Sequence, residues 1–94
     1  MPYTKQERRR PLEPAIHEIT ETLDAMDWQT GDLTFLFYAL AKKVSDKKLS
    51  YDTLSRIRAA LQDAHDEFYR RICVPYEDKK IEENGDVYAE EKNN

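Results

Sequence analysis

"LSRIRAALQDAHDEFYRRI", residues 54–72, decides the fold class. Leu54, Ile57, Leu61, Ala64, Phe68 and Ile72 recur at 3-4-3-4-4 spacing, the period of a helix face and not of a strand. Ser50 is placed to cap this helix, and Asp52 falls in its first turn, where a carboxylate suits the helix dipole. The spacing predicts a helix over about residues 51–73, some 34 Å long at a rise of about 1.5 Å per residue. Pro75 then either kinks or ends it. "PYEDKKIEENG", residues 75–85, reads as a further helical segment, with Pro75 in its first turn and Gly85 past its end. Its apolar content is Tyr76 and Ile81, so it holds its shape only by docking on something.

Upstream, "QTGDLTFLFYALAKKV", residues 29–44, starts a second helix, with Thr30 as the expected N-cap and Asp32 in the first turn. Leu33, Leu36, Phe37, Leu40, Ala41 and Val44 form one face, and Phe35, Tyr38 and Ala39 make the rest apolar too. A helix apolar nearly all round is covered on more than one side, so this one is either central or sandwiched against a second subunit. Before it, Leu12, Ile16, Ile19, Leu23 and Met26 make a narrow stripe at 4-3-4-3 spacing. That helix runs to about Asp27, and Trp28 is expected to fold back on the core. The fold class is therefore all-α: a three-helix bundle or helical hairpin, with a kinked long third helix and a C-terminal accessory helical segment. Residues 1–11 read as a flexible basic arm, residues 12–88 as a single helical domain and residues 89–94 as a disordered acidic tail.

Composition narrows the function classes. The chain has 94 residues, 36% of them charged, and a net charge of −4, which argues against general nucleic-acid binding. No apolar run is long enough to span a membrane, and no apolar core follows the basic N-terminus as in a signal peptide. Cys73 is the single cysteine and forms no internal disulfide, which points to a reducing, cytoplasmic setting. Lys5, Arg8, Arg9 and Arg10 outweigh Glu7 at one end, while acids dominate from residue 77 onward. Opposite ends of that kind attract within one chain or between two copies.

Three constellations can carry chemistry. In the first, His65, Tyr69, Cys73 and Tyr76 follow 4-4-3 spacing, a second stripe beside the core stripe. Tyrosines suit partly dry surfaces, and beside Arg70 and Arg71 they can cradle a planar anion, guanidinium on phosphate and ring on base. Tyr69, Arg70, Arg71, Tyr76 and Tyr88 form this candidate site. Against it stands simple helix support, with Asp66 four residues before Arg70 and Glu67 four before Arg71. In the second constellation, Glu18 and Glu21 on the first helix and Asp63 and Asp66 on the third can hold Mg²⁺ and activate water on a nucleotide phosphate. The third pairs His17 with Glu21, and His65 as a further ligand, for a transition metal. Cys73 reads as an ordinary interior thiol.

The runs "EFYRR", "PYEDKKIEENGDVY" and "GDLTFLFYAL" resemble a family of small uncharacterised phage and prokaryotic proteins, over most of residues 28–88. The resemblance lends no catalytic role, but it implies that the residues 67–88 stretch is a signature. Phages encode small helical homo-oligomers that sequester nucleotide immune signals, an analogy of class and context. The carboxylate pairs resemble the MazG-like nucleotide pyrophosphohydrolases, which carry E-x-x-E on one helix and E-x-x-D on another. Here the second pair is D-x-x-D and an extra helix intervenes. The expectation is a non-enzymatic homo-oligomer without cofactor that binds a phosphorylated small molecule such as a nucleotide. A protein–protein interaction module and a Mg²⁺-dependent nucleotide hydrolase are the alternatives.

Overall fold

The computed structural model describes residues 4–87. It is all-α, with three continuous helical stretches and no strand among the described residues. The first stretch joins α1 (Gln6–Arg9), a 3-10 turn (Arg10–Leu12) and α2 (Glu13–Met26). The second is α3 (Thr30–Lys47). The third joins α4 (Tyr51–Phe68), a π turn (Tyr69–Cys73) and α5 (Val74–Asn84) into 34 helical residues.

Each boundary has a local cause. The 3-10 turn and α2 each carry a proline at their second residue, Pro11 and Pro14, in a first turn where a missing N–H is harmless. The helix starts earlier than expected, so residues 6–11, which read as an arm in sequence, are helical. Gln6, Glu7 and the three arginines are good helix formers, and Pro11 sits where it does no damage. α2 ends in a Schellman motif: Asp27 is left-handed at φ 54°, its N–H bonds to the Asp24 carbonyl, and the Trp28 N–H bonds to the Leu23 carbonyl at 3.1 Å. α3 opens with a capping box in which Gln29, not Thr30, is the cap. The Asp32 carboxylate accepts from the Gln29 N–H at 2.8 Å, and the Gln29 side chain caps the N3 amide in return. Ser50 caps α4 as expected, accepting from the Thr53 N–H at 3.1 Å. Gly85, at φ 85°, closes α5 with its N–H on the Ile81 carbonyl at 2.8 Å.

The described residues divide between Leu54 and Ser55 into two compact units. Among the described residues no hydrophobic side chain is buried, and the only buried residue is Ser45. Within the first unit the last turns of α2 and the first turns of α3 line a hollow of about 340 Å³, with Ile19, Thr22, Leu23, Met26, Phe35 and Leu36 around it. Trp28 does not fold back on a core. It stays 49% exposed, because the Schellman turn spends its backbone on Leu23 and no apolar interior is there to receive its ring.

The αL position at Asp27 yields a stability test. A residue with a Cβ in that conformation costs roughly 1–2 kcal/mol, less for aspartate, whose short polar chain bonds locally. Asp27→Ala is expected to lower stability by about 1 kcal/mol and Asp27→Gly to leave it level or raise it. Chemical denaturation at one fixed protein concentration reads both.

Candidate functional site

The candidate site is built on an irregularity. Pro75 has no N–H, and in an α-helix its ring crowds the carbonyl of residue 71. The helix does not break there. The Val74 N–H reaches back five residues to the Tyr69 carbonyl, which makes residues 69–73 a π turn. The wider turn takes up one extra residue and moves the backbone away from the proline ring. It also keeps the 4-4 spacing of Phe68, Ile72 and Tyr76 in phase, since an added residue offsets the drift of such spacing around a regular helix. Arg70 and Arg71 lie inside this turn, with Tyr69 at its start and Tyr76 just beyond its end.

Both arginines converge on Glu67. Arg70 donates through Nε to Oε1 at 3.1 Å and through Nη2 to Oε2 at 3.0 Å, a bidentate fork. Arg71 places Nη1 4.0 Å from the same Oε2. The sequence pairing of Asp66 with Arg70 does not form. Asp66 instead accepts from Gln62 at 2.9 Å and faces His65 Nδ1 at 3.2 Å. The π turn accounts for the change of partner: it alters which carboxylate lies beneath each guanidinium, and Glu67 is the one turned in, with its side chain only 17% exposed. The hydrogen bond from Arg70, with the charges of Arg70 and Arg71 behind it, holds the Glu67 carboxyl below the usual carboxylate range, and partial burial opposes the shift. The same bond raises the Arg70 guanidinium further.

Tyr69 and Tyr76 share one helix face with Ile72, Cys73 and Glu77, around an open hollow of about 490 Å³. Cys73 is half-buried there, a small thiol between two rings. Lys80 sits over the Tyr76 ring, 5.5 Å from its centroid, and donates to Glu83 at 3.1 Å. Tyr88, the fifth candidate, lies outside the described residues. The structure thus places Tyr69, Arg70, Arg71 and Tyr76 on one short stretch of one helix. It adds Glu67, Ile72 and Glu77, which the sequence reading did not list as site residues. Their signal was available: Ile72 and Glu77 keep the spacing of the tyrosine stripe, and Glu67 stands four residues before Arg71.

The carboxylates are arranged otherwise. Glu18 and Glu21 belong to the first unit and Asp63 and Asp66 to the second. Glu18 lines the hairpin hollow, and Glu21 pairs with His17 Nε2 at 3.2 Å, the i, i+4 contact its spacing suggested. Among the described residues no three of His, Cys, Asp and Glu gather as a metal site.

The chain belongs to the family described as a domain of unknown function (DUF6899), which matches residues 1–87. No curated protein and no solved structure matches it. Membership covers the hairpin and the residues 67–87 stretch alike.

Glu67 supplies a pH test. Its folded pKa is depressed, so its contribution to stability is present above the unfolded carboxylate value and is lost as pH falls through the folded value. Carboxyl-resolved NMR titration is expected to find Glu67 below the ordinary glutamate range, and Arg70→Gln to return it toward that range. Unchanged titration in that variant would show that the fork does not form in solution.

Proposed function

We propose that this chain is a non-catalytic helical binding protein that works as a homo-oligomer and binds its ligand at the Tyr69–Tyr76 surface. The observation that carries the reading is that no hydrophobic side chain is buried among the described residues, while Phe35, Phe37, Tyr38 and Leu40 are each more than half exposed. Burying one such side chain is worth roughly 1.5–3 kcal/mol, so these faces are covered in the working state. The ligand class follows from the arginines. A guanidinium carries five N–H donors, and Glu67 takes two from Arg70. The remainder can meet phosphate oxygens while Tyr69 and Tyr76 offer ring faces to a base. A phosphorylated small molecule such as a nucleotide fits that pairing. The resemblance to small phage and prokaryotic proteins, with the analogy to phage-encoded helical oligomers, supports a cytoplasmic role in sequestering a nucleotide signal. The carboxylate pairs take no part.

A second reading also has an observation behind it. The hollow is lined mainly by apolar groups, and Glu67 already compensates the arginine charge. A polypeptide segment would suit such a surface as well as a phosphate does.

Light scattering at high micromolar concentration is expected to return a multiple of 11.1 kDa; the mass of a single copy would overturn the oligomeric reading. Thermal shift against linear and cyclic nucleotides tests the ligand. One of them is expected to stabilise the wild type, and binding should fall about ten- to a hundredfold when Arg70 and Arg71 are both glutamine. Lysine should rescue poorly, since it lacks the planar fork. If no nucleotide shifts the wild type, but the double variant loses a protein partner, the surface is a protein interface.

A further inference from the structure

The exposed face of α3 has a pattern that selects its partner. Leu33, Phe37, Leu40 and Val44 recur at 4-3-4 spacing, a seam of two helical repeats. Phe37 is 58%, Leu40 66% and Val44 50% exposed, and Leu33 is half-buried. The seam is distinct from the side of α3 that looks into the hairpin hollow, where Asp32, Phe35 and Leu36 lie. Resting on the oligomeric reading above, we propose that this seam is the contact between two copies of the chain, packed antiparallel about a twofold axis. Leu33 then faces Val44 of the second copy, and Phe37 faces its Leu40.

Two observations point to a second copy in this orientation. The first is area. The chain exposes 8969 Å², whereas a globular monomer of 11.1 kDa exposes about 5,700 Å². A standard stable interface takes roughly 800 Å² from each partner, well within that excess. The second is charge. The turn end of α3 is acidic, with Asp24, Asp27 and Asp32, and the far end is basic, with Lys42, Lys43, Lys47 and Lys48. Lys42 spends part of its charge on Asp46, 2.7 Å away in the same helix. A surface acidic at one end, apolar in the middle and basic at the other is self-complementary under a twofold axis. Antiparallel packing sets each acidic end beside a basic one and opposes the two helix dipoles. Parallel packing would set like beside like.

Site-directed crosslinking of the full chain tests this. With Cys73→Ser as background, Leu33→Cys and Val44→Cys are made as two separate proteins of different tag length, mixed to allow exchange, and oxidised with diamide. The expected product is a mixed disulfide dimer, with neither protein crosslinking efficiently to itself. A parallel seam gives the reverse, each protein crosslinking to itself, and overturns the proposal. Circular dichroism and light scattering on the reduced proteins confirm that each variant keeps its helix content and mass. A wild-type oligomer whose variants form no crosslink overturns the seam and leaves the oligomeric reading standing. A wild type that is monomeric overturns both, and the face is then covered by the chain's own second unit or by another protein.

Discussion

The structure depends on one constraint: apolar residues laid out in helical register, with too little chain to cover them. α2, α3 and α4 each carry an apolar stripe, yet the only buried residue among those described is a serine, Ser45, whose hydroxyl donates to the Lys42 carbonyl at 2.8 Å. Local interactions therefore define the helices. The Gln29–Asp32 capping box, the Ser50 cap, the Schellman turn at Asp27 and the Gly85 stop each satisfy backbone groups that packing would otherwise have to protect. Each contributes about a kcal/mol, enough to set boundaries but not enough to hold isolated helices of this length in water.

Pro75 links this constraint to the candidate site. A proline at that point of a regular helix would break it, and α5, with few apolar residues, would have nothing to hold it in line. The π turn preserves continuity by letting Val74 bond to Tyr69. Continuity has a chemical consequence. The same turn carries Arg70 and Arg71 over Glu67 and keeps Tyr69, Ile72 and Tyr76 along one face. Helix repair and site geometry are thus the same local event, and a change at residue 75 acts on both.

Much of this was legible in the sequence. The 3-4-3-4-4 run fixed the third helix, and the stop at Gly85 and the cap at Ser50 were read from residue type alone. The tyrosine stripe appeared at its spacing. What escaped has a physical pattern. Gln29 caps α3 in place of Thr30 because the reciprocal bond from Asp32 is one residue out of the register that propensity suggests. Glu67, and not Asp66, holds Arg70 because i, i+4 arithmetic assumes a regular helix, and Arg70 lies inside the π turn. Trp28, expected to fold back on a core, stays half exposed because no apolar interior is there to receive its ring.

The position of Glu67 also limits what the arginines can recognise. With its carboxylate already forked by Arg70 and approached by Arg71, the local charge is close to one positive unit rather than two. A dianionic group could be bound there only with help, from a second phosphate-facing donor or from a surface that excludes water and so strengthens each bond. One helix face supplies neither, because a convex surface leaves its ligand wet on the far side. A second chain lying across Tyr69 and Tyr76 would supply the missing wall.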